Sequence, residues 1–409
     1  MDKASLKFVI VGHVDHGKST LIGRLLYDTN SLPPDKIEEI RKTSTELGRE
    51  TEFAYLLDHL EEERRQGITI DTTQVFFKTP QREYVIIDAP GHVEFVKNMI
   101  TGASQAEAAL LIVDANLGIQ EQTKRHATII SMLGIEQIIV VINKMDLVDF
   151  SEEIYHSIKK DVTAFLATLN APAQMFIPIS ALKGDNIATH SSKMPWYKGK
   201  TILESLDNLK SRASLENMPF IFAVQDIYKI DDKRISVGRV ESGRLKVGEE
   251  VKILPEGSTT KVMTIEKYME EPKSCCAGES IGLTTKESVF LDRGHILCSP
   301  EKEPKINDTI KANIFWMSKK PYSKGEKVLL RLATQEISCK IDQIHKRINS
   351  STLEVIEENA DILQNLEIGE VFIKVKKPIV MESFKNIQEI GRFVLVRDEN
   401  IIAGGIVTD

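Results

Sequence analysis

From residue 6 to about residue 210 the chain alternates apolar runs of strand length with longer amphipathic stretches of helical period. The runs predict strands over Lys7–Val11, Val75–Lys78, Glu83–Asp88, Ala108–Val113, Gln137–Ile142 and Met175–Ile179. Between most of them lie helical patterns, at Lys18–Tyr27, Gln120–Leu133 and Glu152–Leu169. Such alternation predicts a mostly parallel sheet with helices on both faces. The unbroken run Ala109-Leu110-Leu111-Ile112-Val113 suits a strand buried on both sides.

Past Met218-Pro219 the pattern changes. Short β-rich runs are punctuated by Gly243, Gly248, Glu256-Gly257 and Gly278, and helical periodicity nearly disappears, which predicts an antiparallel barrel. A charged, proline-containing stretch from Ser299 to Pro304 separates it from a second β-rich block that runs from near Ile306 to the C-terminus. The expected division is therefore 1–212, an α/β domain, followed by β-barrels over 213–304 and 305–409.

Composition narrows the class. Of 409 residues, 42% are hydrophobic and 28% charged, the balance of a soluble globular protein. No apolar run approaches the roughly 18 residues of a membrane helix, and the N-terminal residues enter a strand without an apolar leader, so a cytoplasmic protein is expected. The net charge of -7 and the lack of a basic stripe count against binding to nucleic-acid backbone. Four cysteines without a C-x-x-C pair predict reduced structural thiols and no zinc.

Four motifs, the third of them N-K-M-D together with S-A-L, carry candidate chemistry. G-H-V-D-H-G-K-S-T, comprising Gly12, His13, Val14, Asp15, His16, Gly17, Lys18, Ser19 and Thr20, follows a strand and opens a helix. Its glycines let backbone N–H groups close around phosphate oxygens, and the helix N-terminus adds partial positive charge. Lys18 supplies a point charge for the β- and γ-phosphates, and the Ser19 hydroxyl can ligate magnesium. D-A-P-G-H, about 70 residues further on, places Asp88 where a magnesium-shell carboxylate is needed and Gly91 where a bare N–H can sense the γ-phosphate. N-K-M-D ends another strand: the Asp146 carboxylate can accept two hydrogen bonds from guanine, Asn143 would brace the loop and Lys144 would lie along the base. Adenine lacks those donors, and a site of this sort discriminates by roughly 10⁴ or more. S-A-L, made of Ser180, Ala181 and Leu182, offers a backbone N–H to guanine O6. All these elements fall at C-terminal ends of strands, where open α/β sheets bind ligands. R-Q-G-I-T-I-D supplies Thr69, expected at magnesium and γ-phosphate only with GTP bound, after a long charged segment from Leu32 to Gln66 that reads as a switch. The expected ligands are GTP or GDP with Mg²⁺, the metal held by Ser19, Thr69 and Asp88.

With G-H-V-D-H-G-K-S, G-I-T-I-D, D-A-P-G-H and N-K-M-D in hand, the whole chain resembles the elongation-factor branch of the GTPases, with a phosphate-loop GTPase domain followed by two antiparallel β-barrels. The resemblance implies that His92 positions the attacking water, with Lys18 and Thr69 beside it in catalysis, and that Val14 and Ile68 form an apolar gate over His92. It also implies that Asp15 helps hold a monovalent cation in some relatives. Two functional classes of that branch compete. The phosphate loop and D-A-P-G-H-V-E-F lean toward the carriers of aminoacyl-tRNA. Met194–Leu206, Ile314–Pro321 and the stretch from I-N-S-S-T-L-E to K-P-I-V resemble sulfate adenylyltransferase subunit 1, the GTPase subunit of ATP sulfurylase, although archaeal and eukaryotic tRNA carriers resemble Met194–Leu206 too, usually with an insertion after the aromatic pair. That resemblance implies a separate small ATP-dependent subunit that adenylates sulfate, no membrane and no nucleic acid. The alternative implies aminoacyl-tRNA and the ribosome. A GTP-dependent adaptor for another partner is the third class.

Overall fold

The computed structural model describes residues 5–32, 73–90, 92, 96–211, 214–230, 233–268, 270–286 and 291–408. Thr69, Gly91, Ile68 and nearly all of the segment from Leu32 to Gln66 lie outside the described residues. The chain divides into two compact units, Met1–Arg212 with Ser350–Thr352, and Ala213–Asn349 with Leu353–Asp409.

The first unit is built on a six-stranded sheet: β1 (Leu6–Gly12), β2 (Thr73–Lys78), β3 (Glu83–Asp88), β4 (Ala108–Asp114), β5 (Gln137–Asn143) and β6 (Met175–Pro178), in the order β2-β3-β1-β4-β5-β6. Only the β2–β3 pair is antiparallel. Every residue of β4 is buried, as its continuous apolar run predicts. Along β1 the side chains of Leu6, Phe8 and Ile10 join one apolar cluster with Leu21, Ile22 and Leu25, while Val9 and Val11 are buried outside that cluster. The two-residue alternation of a strand thus sends β1 into apolar surroundings on both faces.

Among the described residues the helices are α1 (Lys18–Asp28), α2 (Val96–Ala103), α3 (Glu121–Met132), α4 (Glu152–Thr168) and α5 (Ile202–Asp207). α4 buries Tyr155, Ile158, Val162 and Leu166, one stripe at helical spacing. Ser151 caps it by accepting from the Ile154 N–H at 3.3 Å, and Glu152 and Glu153 complement the positive end of the dipole. α5 opens with a reciprocal cap: Glu204 N–H donates to Thr201 Oγ1 at 3.3 Å, and Thr201 N–H donates to Glu204 Oε2 at 2.8 Å.

In the second unit, the strands Glu250–Leu254, Ser258–Glu266, Ser280–Thr285, Lys233–Ser242, Ile221–Ile230 and Ile296–Cys298 close into a barrel in that order. A larger antiparallel sheet follows over Lys305–Val407. Its strand Lys327–Leu332 pairs with both Arg392–Arg397 and Gln335–Asn349, so six of its seven strands form a closed ring. Ile221, Ala223, Leu254, Ile296 and Cys298 of the barrel share an apolar cluster with Ile310, Ile314 and Trp316, which joins the two β structures into one unit. All four cysteines are free thiols, and burial pushes those of Cys275, Cys298 and Cys339 up to about 12. Among the described residues no helix is long and apolar enough to cross a membrane.

Candidate functional site

The segment Gly12–Thr20 runs from the end of β1 into α1. Gly12 has no room for a side chain: a Cβ there would lie 2.5 Å from the Ile112 carbonyl oxygen on β4. Gly17, at φ 90°, is the N-cap of α1, and a Cβ there would strike the Asn143 amide. The loop is therefore drawn tightly against β4 and β5 by two positions that only glycine fills. α1 has no side-chain cap at its N-terminus and no acidic residue in its first turn. The amide donors of that turn are left facing whatever anion approaches.

Lys18 folds back along this loop. Its Nζ donates to the carbonyls of Gly12 at 3.2 Å and His13 at 3.0 Å, and the residue is only 8% exposed. Burial pushes its ammonium down to about 8, against the opposing pull of Asp88 and then Asp15. Asp88 closes β3 beside Ile10 of β1 and is 2% exposed. Ser19 and Thr20 are half-buried in the first turn of α1, His13 and Val14 are half-buried in the loop, and Asp15 is exposed with φ 63°.

The base side is organised by Asn143 at the end of β5. Its Nδ2 donates to the His16 carbonyl at 2.9 Å, and its Oδ1 accepts the Ala181 N–H at 2.9 Å. One buried side chain thus ties the phosphate loop, N-K-M-D and S-A-L together. The Ala181 N–H of S-A-L is thus engaged by Asn143. Ser180 is fully buried and its Oγ accepts the Lys183 N–H at 3.2 Å. Asp146 sits half-buried in the 3-10 turn Met145–Val148, which Met145 N–H anchors to the Ile179 carbonyl at 3.1 Å. The Asp146 carboxylate hydrogen-bonds no other described residue.

Two residues beneath the loop were not singled out by sequence. His126 of α3 is fully buried, and burial pushes it down to about 3; burial likewise pushes His16 down to about 4. Both imidazoles are neutral at ordinary pH. Asp114, the last residue of β4, pairs with Lys144 at 2.8 Å. The available signal for Asp114 was an acidic residue ending an otherwise apolar strand next to the strand that bears N-K-M-D. Of the remaining expected site residues, His92 is half-buried, and Thr69 and Gly91 are outside the described residues.

Removing Asn143 is expected to loosen all three loops together. Asn143→Ala leaves the His16 carbonyl and the Ala181 N–H without their buried partner, each costing about 1–3 kcal/mol. The expected result is a lower melting temperature and at least a tenfold loss of guanine-nucleotide affinity by calorimetry. Unchanged affinity would show that Asn143 does not hold the site.

Residues 3–218 match the family described as "Elongation factor Tu GTP binding domain". The chain belongs to that family. Residues 309–408 of this GTPase match the "GTP-eEF1A C-terminal domain-like" family. It is 39% identical to "Elongation factor 1-alpha" of Methanopyrus kandleri, over 99% of this chain and 97% of that protein. To "Elongation factor 1-alpha" of Methanosarcina barkeri it is 38% identical, over 99% of this chain and 98% of that protein. To "Sulfate adenylyltransferase subunit 1" of Tolumonas auensis it is 36% identical, over 100% of this chain and 87% of that protein. The GTPase thus binds GTP and GDP through a translation-factor-like domain. The site suits that ligand: a cradle that a Cβ would fill at Gly12 or Gly17, an uncapped helix N-terminus, and on the base side a carboxylate that hydrogen-bonds no other described residue. The Ser19 hydroxyl and the Asp88 carboxylate are hard oxygen donors of the kind magnesium takes alongside phosphate oxygens.

Proposed function

We propose that this GTPase is the nucleotide-switch subunit of a sulfate adenylyltransferase, coupling GTP hydrolysis to the formation of adenylylsulfate from ATP and sulfate by a separate small subunit. The observation that supports the reading is the 36% identity to "Sulfate adenylyltransferase subunit 1" of Tolumonas auensis over the whole of this chain. Regions that both classes use for GTP cannot distinguish them. Met194–Leu206 and Ile314–Pro321 lie elsewhere, and they differ in role from the boxes. Trp196 packs against Tyr155 and donates to the Phe150 carbonyl at 3.1 Å. Trp316 is fully buried against Tyr322. These residues shape a particular scaffold, and the scaffold is what a partner meets.

Sulfate is a weak nucleophile, and attack on the α-phosphorus of ATP releases pyrophosphate and leaves a mixed anhydride of high energy. The reaction therefore needs a drive. A GTP-dependent switch supplies one when the two nucleotide states of this subunit bind the small subunit's conformations with different affinity. Within the site, Lys18 offsets β- and γ-phosphate charge, Asp146 reads guanine, and His92 orients the attacking water. Thr69 and Gly91 would sense the γ-phosphate, and Ser19, Thr69 and Asp88 would hold Mg²⁺, which would supply charge neutralisation at the phosphates.

The second reading, a carrier of aminoacyl-tRNA to the ribosome, is favoured by the 39% identity to elongation factor 1-alpha over 97% of that protein. GTP hydrolysis measured with the cognate small subunit, ATP and sulfate, and separately with ribosomes and aminoacyl-tRNA, decides between them. The first mixture is expected to stimulate hydrolysis strongly. Stimulation by the second mixture alone would overturn the proposal in favour of the carrier.

A further inference from the structure

The parallel register of β4 and β5 sets Asp114 directly beside Asn143. Asp114 is fixed on all sides. Its Oδ1 accepts the N–H groups of Asn116 at 2.8 Å and Leu117 at 3.3 Å, so the carboxylate is locked into the turn that follows β4. That turn closes when Gly118 N–H donates to the Asp114 carbonyl at 2.8 Å. Next to it, Ala115 N–H donates to the Asn143 carbonyl at 2.8 Å, stitching the turn to the guanine loop. The second carboxylate oxygen, Oδ2, is 2.8 Å from Lys144 Nζ. The Asp114 side chain is 3% exposed and that of Lys144 31%. The ammonium therefore sits at the border between a buried, immobile carboxylate and the open side of the site. Lys144 itself holds φ 64°, a left-handed conformation that a side-chain-bearing residue adopts only under constraint from its surroundings.

We infer that Asp114 positions the Lys144 ammonium at the guanine nucleotide, so that nucleotide retention depends on a carboxylate lying outside all of the signature motifs. A lysine on a flexible four-carbon stem loses rotamer freedom when it packs along a base and ribose. A fixed carboxylate that holds the ammonium beforehand removes that cost from the binding step. The charge state is right for the role. Burial alone would raise the Asp114 carboxyl, but the hydrogen bond from Lys144 and then the Asn116 N–H outweigh it and hold the group below the usual carboxylate range. The inference concerns the nucleotide site and is independent of which partner the GTPase serves. It does rest on Asn143–Asp146 being the guanine loop.

Asp114→Asn isolates the effect, because the amide oxygen still accepts from Asn116 and Leu117 while the charge facing Lys144 is lost. The experiment follows dissociation of fluorescent GDP from the full chain in four proteins: wild type, D114N, K144M and the double variant. D114N and K144M are each expected to speed GDP release about tenfold. The double variant is expected to release GDP no more than about twofold faster than K144M, since Asp114 then has nothing left to position. A merely structural role for the turn would persist in the K144M background and give multiplying effects. If D114N does not fold, Asp114→Ser, whose hydroxyl can still accept from the turn, takes its place in the cycle. Wild-type release in D114N alongside fast release in K144M would overturn the inference and leave the guanine loop standing. Wild-type release in K144M would overturn both. Multiplying effects in the double variant would also overturn it.

Discussion

Replacing Asp146 by asparagine is expected to lower GTP affinity by roughly 10³-fold or more and to raise affinity for xanthosine triphosphate correspondingly. The Asp146 carboxylate hydrogen-bonds no other described residue, so among those residues its acceptors are not committed. Guanine presents N1–H and the 2-amino group to such a carboxylate. An asparagine amide there would set an N–H₂ against the 2-amino group and leave one donor unpaired. Xanthine carries an oxygen at that position and restores the match. The turn that bears Asp146 is held by the Met145 N–H bond to Ile179 and by Asn143, neither of which the substitution touches. Calorimetry with the two nucleotides checks the prediction. Equal GTP affinity in variant and wild type would mean that Asp146 does not read the base.

Lys18→Met is expected to separate nucleotide binding from stability. Loss of a buried counter-charge to phosphate costs about 10²- to 10³-fold in affinity. The same ammonium is a burden to the nucleotide-free fold, because burial lowers it from 10.5 to about 8. The sign follows from linkage: a base whose pKa falls on folding is penalised wherever it must carry its proton. The penalty is complete below pH 8 and fades as pH rises toward 10.5. The nucleotide-free variant is therefore expected to gain stability relative to wild type at pH 7, and to lose that relative gain as pH rises through 8. Melting temperatures of both proteins across this range, with nucleotide affinities at pH 7, check it. A variant with wild-type affinity would remove Lys18 from the phosphate site.

Much of the first unit was legible because its signals are local. Glu83–Asp88 is a strand with the expected bounds, and β4 and β5 each run one residue beyond the apolar run, to Asp114 and Asn143. Hydropathy ends a strand at its last apolar residue, whereas the ladder continues through a polar one whose backbone stays paired. Asn143 could be named as a brace from its place in N-K-M-D, but not the atoms it joins. Its partners His16 and Ala181 lie 127 and 38 residues away, and sheet order alone brings them together. The Asp114–Lys144 pair was hidden for the same reason: register, not spacing, places the two side chains face to face. His126 was hidden because a histidine within a helical pattern carries no sign of which face it occupies. In the second unit the turn glycines predicted β structure, while ring closure through Lys327–Leu332 is a long-range pairing that no local pattern encodes.

The shared GTPase domain leaves partner choice as the point on which the account stands or falls. The most direct measurement is adenylylsulfate formation by this chain mixed with a candidate small sulfate-adenylating subunit, ATP and sulfate, while GTP is supplied, withheld, or replaced by a non-hydrolysable analogue. The account predicts that GTP hydrolysis carries adenylylsulfate beyond the level reached without it, and that the analogue does not sustain this gain. Adenylylsulfate formation indifferent to GTP, together with GTP-dependent protection of aminoacyl-tRNA from deacylation by this chain, would contradict it.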